Sequence, residues 1–159
     1  MRMRSASYFL SAALAAAAAS NALAGEQVLE FKLITKPIDF KVTEAANIEG
    51  QIVASGKLFG VAVFKDGRVG VKEFVNSSDM LKGSGSFFGY STYTFEDGSI
   101  TARYTGTTQD GKSTGEYTIL SGTGAYANAT GTGAIENAPN PFKGVNLYNI
   151  KLVIKTPGT

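Results

Sequence analysis

The sequence contains no cysteine, no histidine and no tryptophan. Without cysteine there are no disulfides, so stability has to come from a hydrophobic core alone. Without histidine a Ser-His-Asp triad is excluded, and so are His-based metal sites and imidazole acid–base chemistry. Any catalysis would have to run on Glu, Asp, Tyr, Lys or Arg. Neither a metal ion nor a cofactor is expected from so narrow a set of groups. Past the first two dozen residues, long amphipathic helical patterns are missing as well.

The N-terminus has its own layout. Arg2 and Arg4 precede an apolar, alanine-rich stretch from Tyr8 to Ala19, and Ala22-Leu23-Ala24 then offers a small-x-small cleavage pattern before Gly25. This is the arrangement of a secretory signal peptide. The apolar stretch is shorter than the roughly 20 residues that span a bilayer, and it lacks the arginine spread of a transit peptide. Residues 1–24 are therefore read as a signal, and residues 25–159 as a single domain that is secreted or periplasmic. Cleavage would remove two arginines and no acid, leaving 13 basic residues against 13 acidic ones. A nucleic-acid binder keeps a basic excess to displace phosphate counterions, so nucleic acid is not an expected partner. No membrane span is expected in the mature chain.

What the domain does have is short runs rich in Val, Ile, Thr, Phe and Tyr, punctuated by glycine. That is the all-β pattern. The runs fall at about 27–35, 38–44, 51–64, 68–76, 85–95, 99–107, 113–120, 132–137 and 145–155. Gly56 and Gly60 interrupt the third run and suggest a bend or bulge. Consecutive strands with short turns argue for an eight-stranded antiparallel up-and-down β-barrel, which leaves no exposed edge. A two-sheet β-sandwich is the alternative.

Three Asp-Gly pairs mark hairpin turns: Asp66-Gly67, Asp97-Gly98 and Asp110-Gly111. The last two turns place Tyr93, Phe95, Ile100, Tyr104, Tyr117 and Ile119 on one face. Tyr90, Thr92, Arg103, Thr105, Glu116 and Thr118 fall on the other. The first turn pairs Glu73 with Gly60 and puts it on an apolar face with Val69, Val71, Ala62 and Phe64. A carboxylate there belongs at the barrel mouth or is buried with a raised pKa. Arg103 and Glu116 make a cross-strand ion pair, either exposed or orienting a ligand carboxylate. Tyr90, Tyr93, Tyr104 and Tyr117 are candidates for core packing or for a ligand cage.

The segment from Gly122 to Gly131, Gly-Thr-Gly-Ala-Tyr-Ala-Asn-Ala-Thr-Gly, is the most distinctive in the chain. As an anion loop it would use its glycines to bring backbone N–H groups close to phosphate. No lysine of the phosphate-loop type follows it, so turn and barrel-corner packing is the preferred reading. The segment resembles the penultimate loop of the allene oxide cyclase and dirigent-type barrels. The aromatic run from Tyr90 to Phe95, followed by Ile100 and Gly106, and Pro141-Phe142-Lys143 ahead of a final apolar strand, are similar to the same family. The resemblance implies an eight-stranded barrel in a family where homotrimers are common. It also implies a catalytic candidate, Glu30, since the cyclases carry a carboxylate on their first strand that stabilises a cationic intermediate. Lys32 stands where the cyclases have asparagine, and would bring a cation to that site.

Three functions follow. The leading one is an exported barrel that binds a small apolar or amphipathic molecule without catalysis, through Tyr90, Tyr93, Tyr104, Tyr117, Glu73 or Arg103. The second is a cyclase-like isomerase built on Glu30. The third is an interaction module that oligomerises through an apolar outer face.

Overall fold

The computed structural model describes residues 25–157; the expected signal peptide lies outside the described residues. Eight strands follow one another: β1 (Gly25–Glu44), β2 (Gln51–Phe64), β3 (Val69–Leu81), β4 (Ser84–Phe95), β5 (Gly98–Gln109), β6 (Lys112–Gly124), β7 (Thr130–Asn137) and β8 (Asn146–Thr156). Each pairs antiparallel with the next, and β8 returns to β1 to close a barrel. This is the expected architecture; the sandwich alternative is excluded. The first two runs of the sequence are one strand, β1, with a register shift between Pro37 and Asp39. Gly56 pairs with Phe40 beside that irregularity, so the bend expected in β2 occurs where β1 bulges.

Alternation explains why these segments are strands and which way they face. In β1, Leu29, Phe31, Leu33 and Thr35 are buried while Glu30 and Lys32 are exposed. In β8, Ile150, Leu152 and Ile154 are buried between exposed Asn149, Lys151 and Lys155. Each such buried aliphatic side chain contributes about 1.5–3 kcal/mol relative to exposure. Closure then satisfies the outer backbone groups of β1 through β8, from Gly25 opposite Thr156 to Thr35 opposite Asn146. An eight-stranded barrel is just wide enough to be filled by side chains or to hold one small ligand.

The turns decide the registers. Asp110-Gly111 is a two-residue turn with φ values of 50° and 75°, as expected for type I′. Lys82-Gly83 is another (φ 50° and 82°), which no Asp-Gly or Asn-Gly pair signals. At Asp97-Gly98 the turn sits one residue earlier, because Phe95 pairs with Gly98. The register moves by two residues there, so the faces assigned to β4 and β5 hold. At Asp66-Gly67 the loop has three residues: Phe64 N–H donates to the Arg68 carbonyl (3.0 Å), with Gly67 at φ 88°. Asp66 tightens this loop by accepting from the Arg68 N–H (3.1 Å) and guanidinium (2.8 Å). The register of β3 therefore moves by one residue, and every side chain of β3 changes face. Glu73 pairs with Phe59 and points outward, whereas Lys72 pairs with Gly60 and points inward.

Candidate functional site

One end of the barrel is filled. Phe31, Phe64, Phe95 and Tyr93 form an aromatic cluster with ring centroids 5.0–6.3 Å apart. Tyr126 closes this end; its ring lies 5.7 Å from Phe95, and its hydroxyl reaches Asp97 at 3.5 Å. The Gly122–Gly131 segment is what delivers it there. Its N–H groups are spent on the turn: Ala125 donates to Asp97, Tyr126 to Thr123, Ala127 to Gly124 and Ala129 to Tyr126. The segment is thus a corner and plug, as the packing reading expects, and these donors are unavailable to an anion.

The other end is hollow. A cavity of about 200 Å³ lies between the strands. Its walls include Leu58, Phe74, Phe87 and Tyr104, while Thr108, Ser113 and Asn146 give its outer part a polar lining. Room for the rings comes from small residues opposite them. A side chain at Gly89 would meet the Val75 carbonyl at 2.0 Å and the Tyr104 hydroxyl at 2.3 Å, so only glycine lets the Tyr104 ring lie across β4. From there Tyr104 donates to the Val75 carbonyl (2.9 Å) and to Asn76 Oδ1 (3.0 Å).

Lys72 lies between the filled end and the hollow one. It lines the cavity yet is only 3 % exposed. Its amine donates to the Tyr117 hydroxyl (2.8 Å), which shares a further 2.8 Å hydrogen bond with the Tyr93 hydroxyl. Four ring faces surround the nitrogen: Phe74 at 4.2 Å, Tyr104 at 4.8 Å, and Tyr93 and Tyr117 each at 5.1 Å. No carboxylate lines the cavity. An unpaired buried ion costs several kcal/mol in desolvation, while a ring face returns about 0.5–2 kcal/mol. Burial accordingly holds the Lys72 amine well below the ordinary lysine range. Burial also pushes the Tyr93, Tyr104, Tyr117 and Tyr148 hydroxyls up, so these phenols stay protonated at neutral pH.

The structure divides the residues singled out in the sequence. Tyr93, Tyr104 and Tyr117 converge on Lys72. Tyr90 faces outward on β4 and is 49 % exposed. Arg103 and Glu116 are also exposed on the outer face, and the two form none of the ion pairs among the described residues. Glu73 is outside the barrel for the register reason given above. Glu30 faces outward too, 3.4 Å from Lys151 in a pair with both side chains more than half exposed. The carboxylate proposed for catalysis therefore does not reach the lumen: Leu29 and Phe31, its neighbours in β1, take the inward positions. Sequence reasoning missed Lys72, and with it Phe74 and Tyr148. The available signal was the loop itself, since Lys-Asp-Gly in three residues with glycine last reverses the parity of β3.

The outside of β2 and β3 carries an apolar strip. Val63 pairs with Val69 and Val61 with Val71, and beyond them Phe59 lies opposite Glu73 and Val75 opposite Lys57; Val69 is 63 % exposed. A wider groove of about 690 Å³ runs along the outside near β1 and β8, touched by Ile34, Val63, Phe142 and Leu147.

No family model matches the chain, and no curated protein matches it. Solved structures do. The fold is similar to that of two pterocarpan synthase dirigent proteins. For one the TM-score is 0.61 at 14% identity, covering 96% of this chain and 99% of that one. For the other it is 0.58 at 12% identity, covering 85% and 97%. A protein of unknown function from the DUF3224 family of Shewanella oneidensis matches with a TM-score of 0.56 at 17% identity, covering 84% and 100%. At these identities the likeness is one of fold: the chain has a dirigent-like β-barrel.

Proposed function

We propose that this protein is an exported binding barrel for a small, mostly apolar molecule with one polar group, held in the lumen without catalytic turnover. The observation that carries this reading is the half-empty lumen ending on Lys72. Burying a lysine amine among rings is costly, and the site offers a ligand a hydrogen-bonding amine beside apolar walls. Size narrows the class. An apolar cavity of about 150 Å³ accepts benzene, and drug-sized ligands need about 300 Å³ or more. The 200 Å³ lumen therefore suits a single ring with a short substituent. The signal-peptide pattern of residues 1–24 supports export. The lumen gives the cyclase-like alternative no carboxylate, because Glu30 lies on the wall of the outer groove, paired with Lys151.

Titration calorimetry with 4-methylbenzyl alcohol tests the reading. One site per chain is expected, with affinity weakened at least tenfold by Ser78→Phe, which fills the cavity from β3. No binding by the parent protein, or equal binding by a folded Ser78→Phe variant, would overturn it. The apolar strip on β2 and β3 favours a second reading that is compatible with the first, self-association of the barrel through that face.

A further inference from the structure

We propose that Lys72 is a covalent capture site, whose amine condenses with a small aldehyde or ketone in the lumen to form an imine. The inference rests on the binding reading and names its ligand class. Three features of the geometry converge on it. Lys72 lines the hollow at the open end of the barrel lumen, so a ligand seated there meets the nitrogen. Its amine hydrogen-bonds to the Tyr117 hydroxyl at 2.8 Å, which keeps a protonated phenol within proton-transfer reach of the nitrogen. The Tyr117 and Tyr93 hydroxyls form a connected pair that can pass a proton to and from the reacting centre.

Burial without a carboxylate lowers the amine's pKa and so favours its neutral form, the form a nucleophilic lysine requires. The titratable groups facing it are phenols alone: Tyr93 from β4, Tyr104 from β5, Tyr117 from β6, with Tyr148 of β8 on the cavity wall. The cavity residues of β1, β2 and β7, including Leu33, Leu58 and Ile135, carry no charge.

The step balances without any further reagent. The amine nitrogen attacks the carbonyl carbon, and the C–N bond forms as the carbonyl π pair moves to oxygen. A Tyr117 proton passes to that oxygen and is returned by the nitrogen. The oxygen then leaves as water, carrying the two hydrogens that the amine supplies, and a C=N bond remains. Should the imine take up a proton, the ring faces that surround the nitrogen stabilise the cation.

The experiment uses 4-methylbenzaldehyde at about pH 7, where an unperturbed lysine is neutral in only about one molecule in two thousand. Borohydride trapping is followed by intact-mass and peptide analysis. One adduct per chain is expected, on the peptide carrying Lys72, forming at least tenfold faster than any adduct on exposed Lys41. Lys72→Met should abolish it. Alcohol binding by the parent without an adduct at Lys72, or with Lys41 labelled as fast, overturns the imine and leaves the binding reading standing. Absence of both alcohol binding and adduct overturns both. Peptide mapping on the parent protein keeps the test decisive even if Lys72→Met fails to fold.

Discussion

Replacing Lys72 with methionine should change how stability depends on pH. Among the described residues Lys72 is the one buried side chain of the Lys, Arg, Asp or Glu type. Folding moves its amine into a site where burial lowers its pKa well below the usual value, whereas in the unfolded chain it stays protonated up to about pH 10.4. Between those two pKa values the unfolded state holds one more proton than the folded state. Stability therefore rises with pH, by about 1.4 kcal/mol per unit. The contribution is complete above the unfolded pKa and is lost as pH falls to the folded one. Tyr93, Tyr104, Tyr117 and Tyr148 act in the opposite sense, since their raised pKa values reduce stability once unfolded phenols ionise near pH 10. Measurements between about pH 7 and 9.5 avoid them.

In that range the advantage of Lys72→Met over the parent should shrink as pH rises, by up to about 1.4 kcal/mol per unit, or roughly 4–5 °C in Tm for a domain of this size. Urea unfolding followed by circular dichroism reads it directly, with exposed Lys41→Met as the control. Parallel curves for the parent and Lys72→Met would refute the claim that the folded amine is depressed. An equal change in Lys41→Met would show that the effect is not specific to the buried site.

Two further outcomes are expected. Tyr126→Ala should remove the plug at the filled end, where the side chain is 1 % exposed, and lower stability by about 3–5 kcal/mol in urea titrations. A loss below about 1 kcal/mol would mean that the Gly122–Gly131 segment is not a packing element. Val71→Lys, on the outer strip, should shift the mass measured by light scattering from an oligomer to a monomer without altering the circular dichroism; a monomeric parent would dispose of the self-association reading.

Alternation and turn chemistry were legible along most of the chain. The runs of β4, β5 and β6 place Tyr93, Tyr104 and Tyr117 on one face, and a register error of two residues at Asp97-Gly98 leaves that face unchanged. The tight Asp110-Gly111 turn and the corner role of the Gly122–Gly131 segment were also readable, because both depend on local backbone conformation. β3 was not. Its outward positions carry Val69, Val71 and Val75, and its inward positions carry Lys72, Asn76 and Ser78. Hydrophobicity therefore points to the wrong face, and a loop of two residues or three decides the matter.

Local sequence alone thus determined that this chain has strands, where most of them turn, and that Tyr93, Tyr104 and Tyr117 gather on one side. Only closure of the barrel decided what those tyrosines surround. The Lys72 amine meets rings from β3, β4, β5 and β6, positions up to 45 residues apart. No pattern within β3 encodes that meeting, because its alternation of valines favours the lysine outside and only the preceding three-residue loop sets the face. Pairing with Gly60 on one side and Tyr93 on the other turns it inward. The surrounding rings and the absence of an acid then give that amine its chemistry.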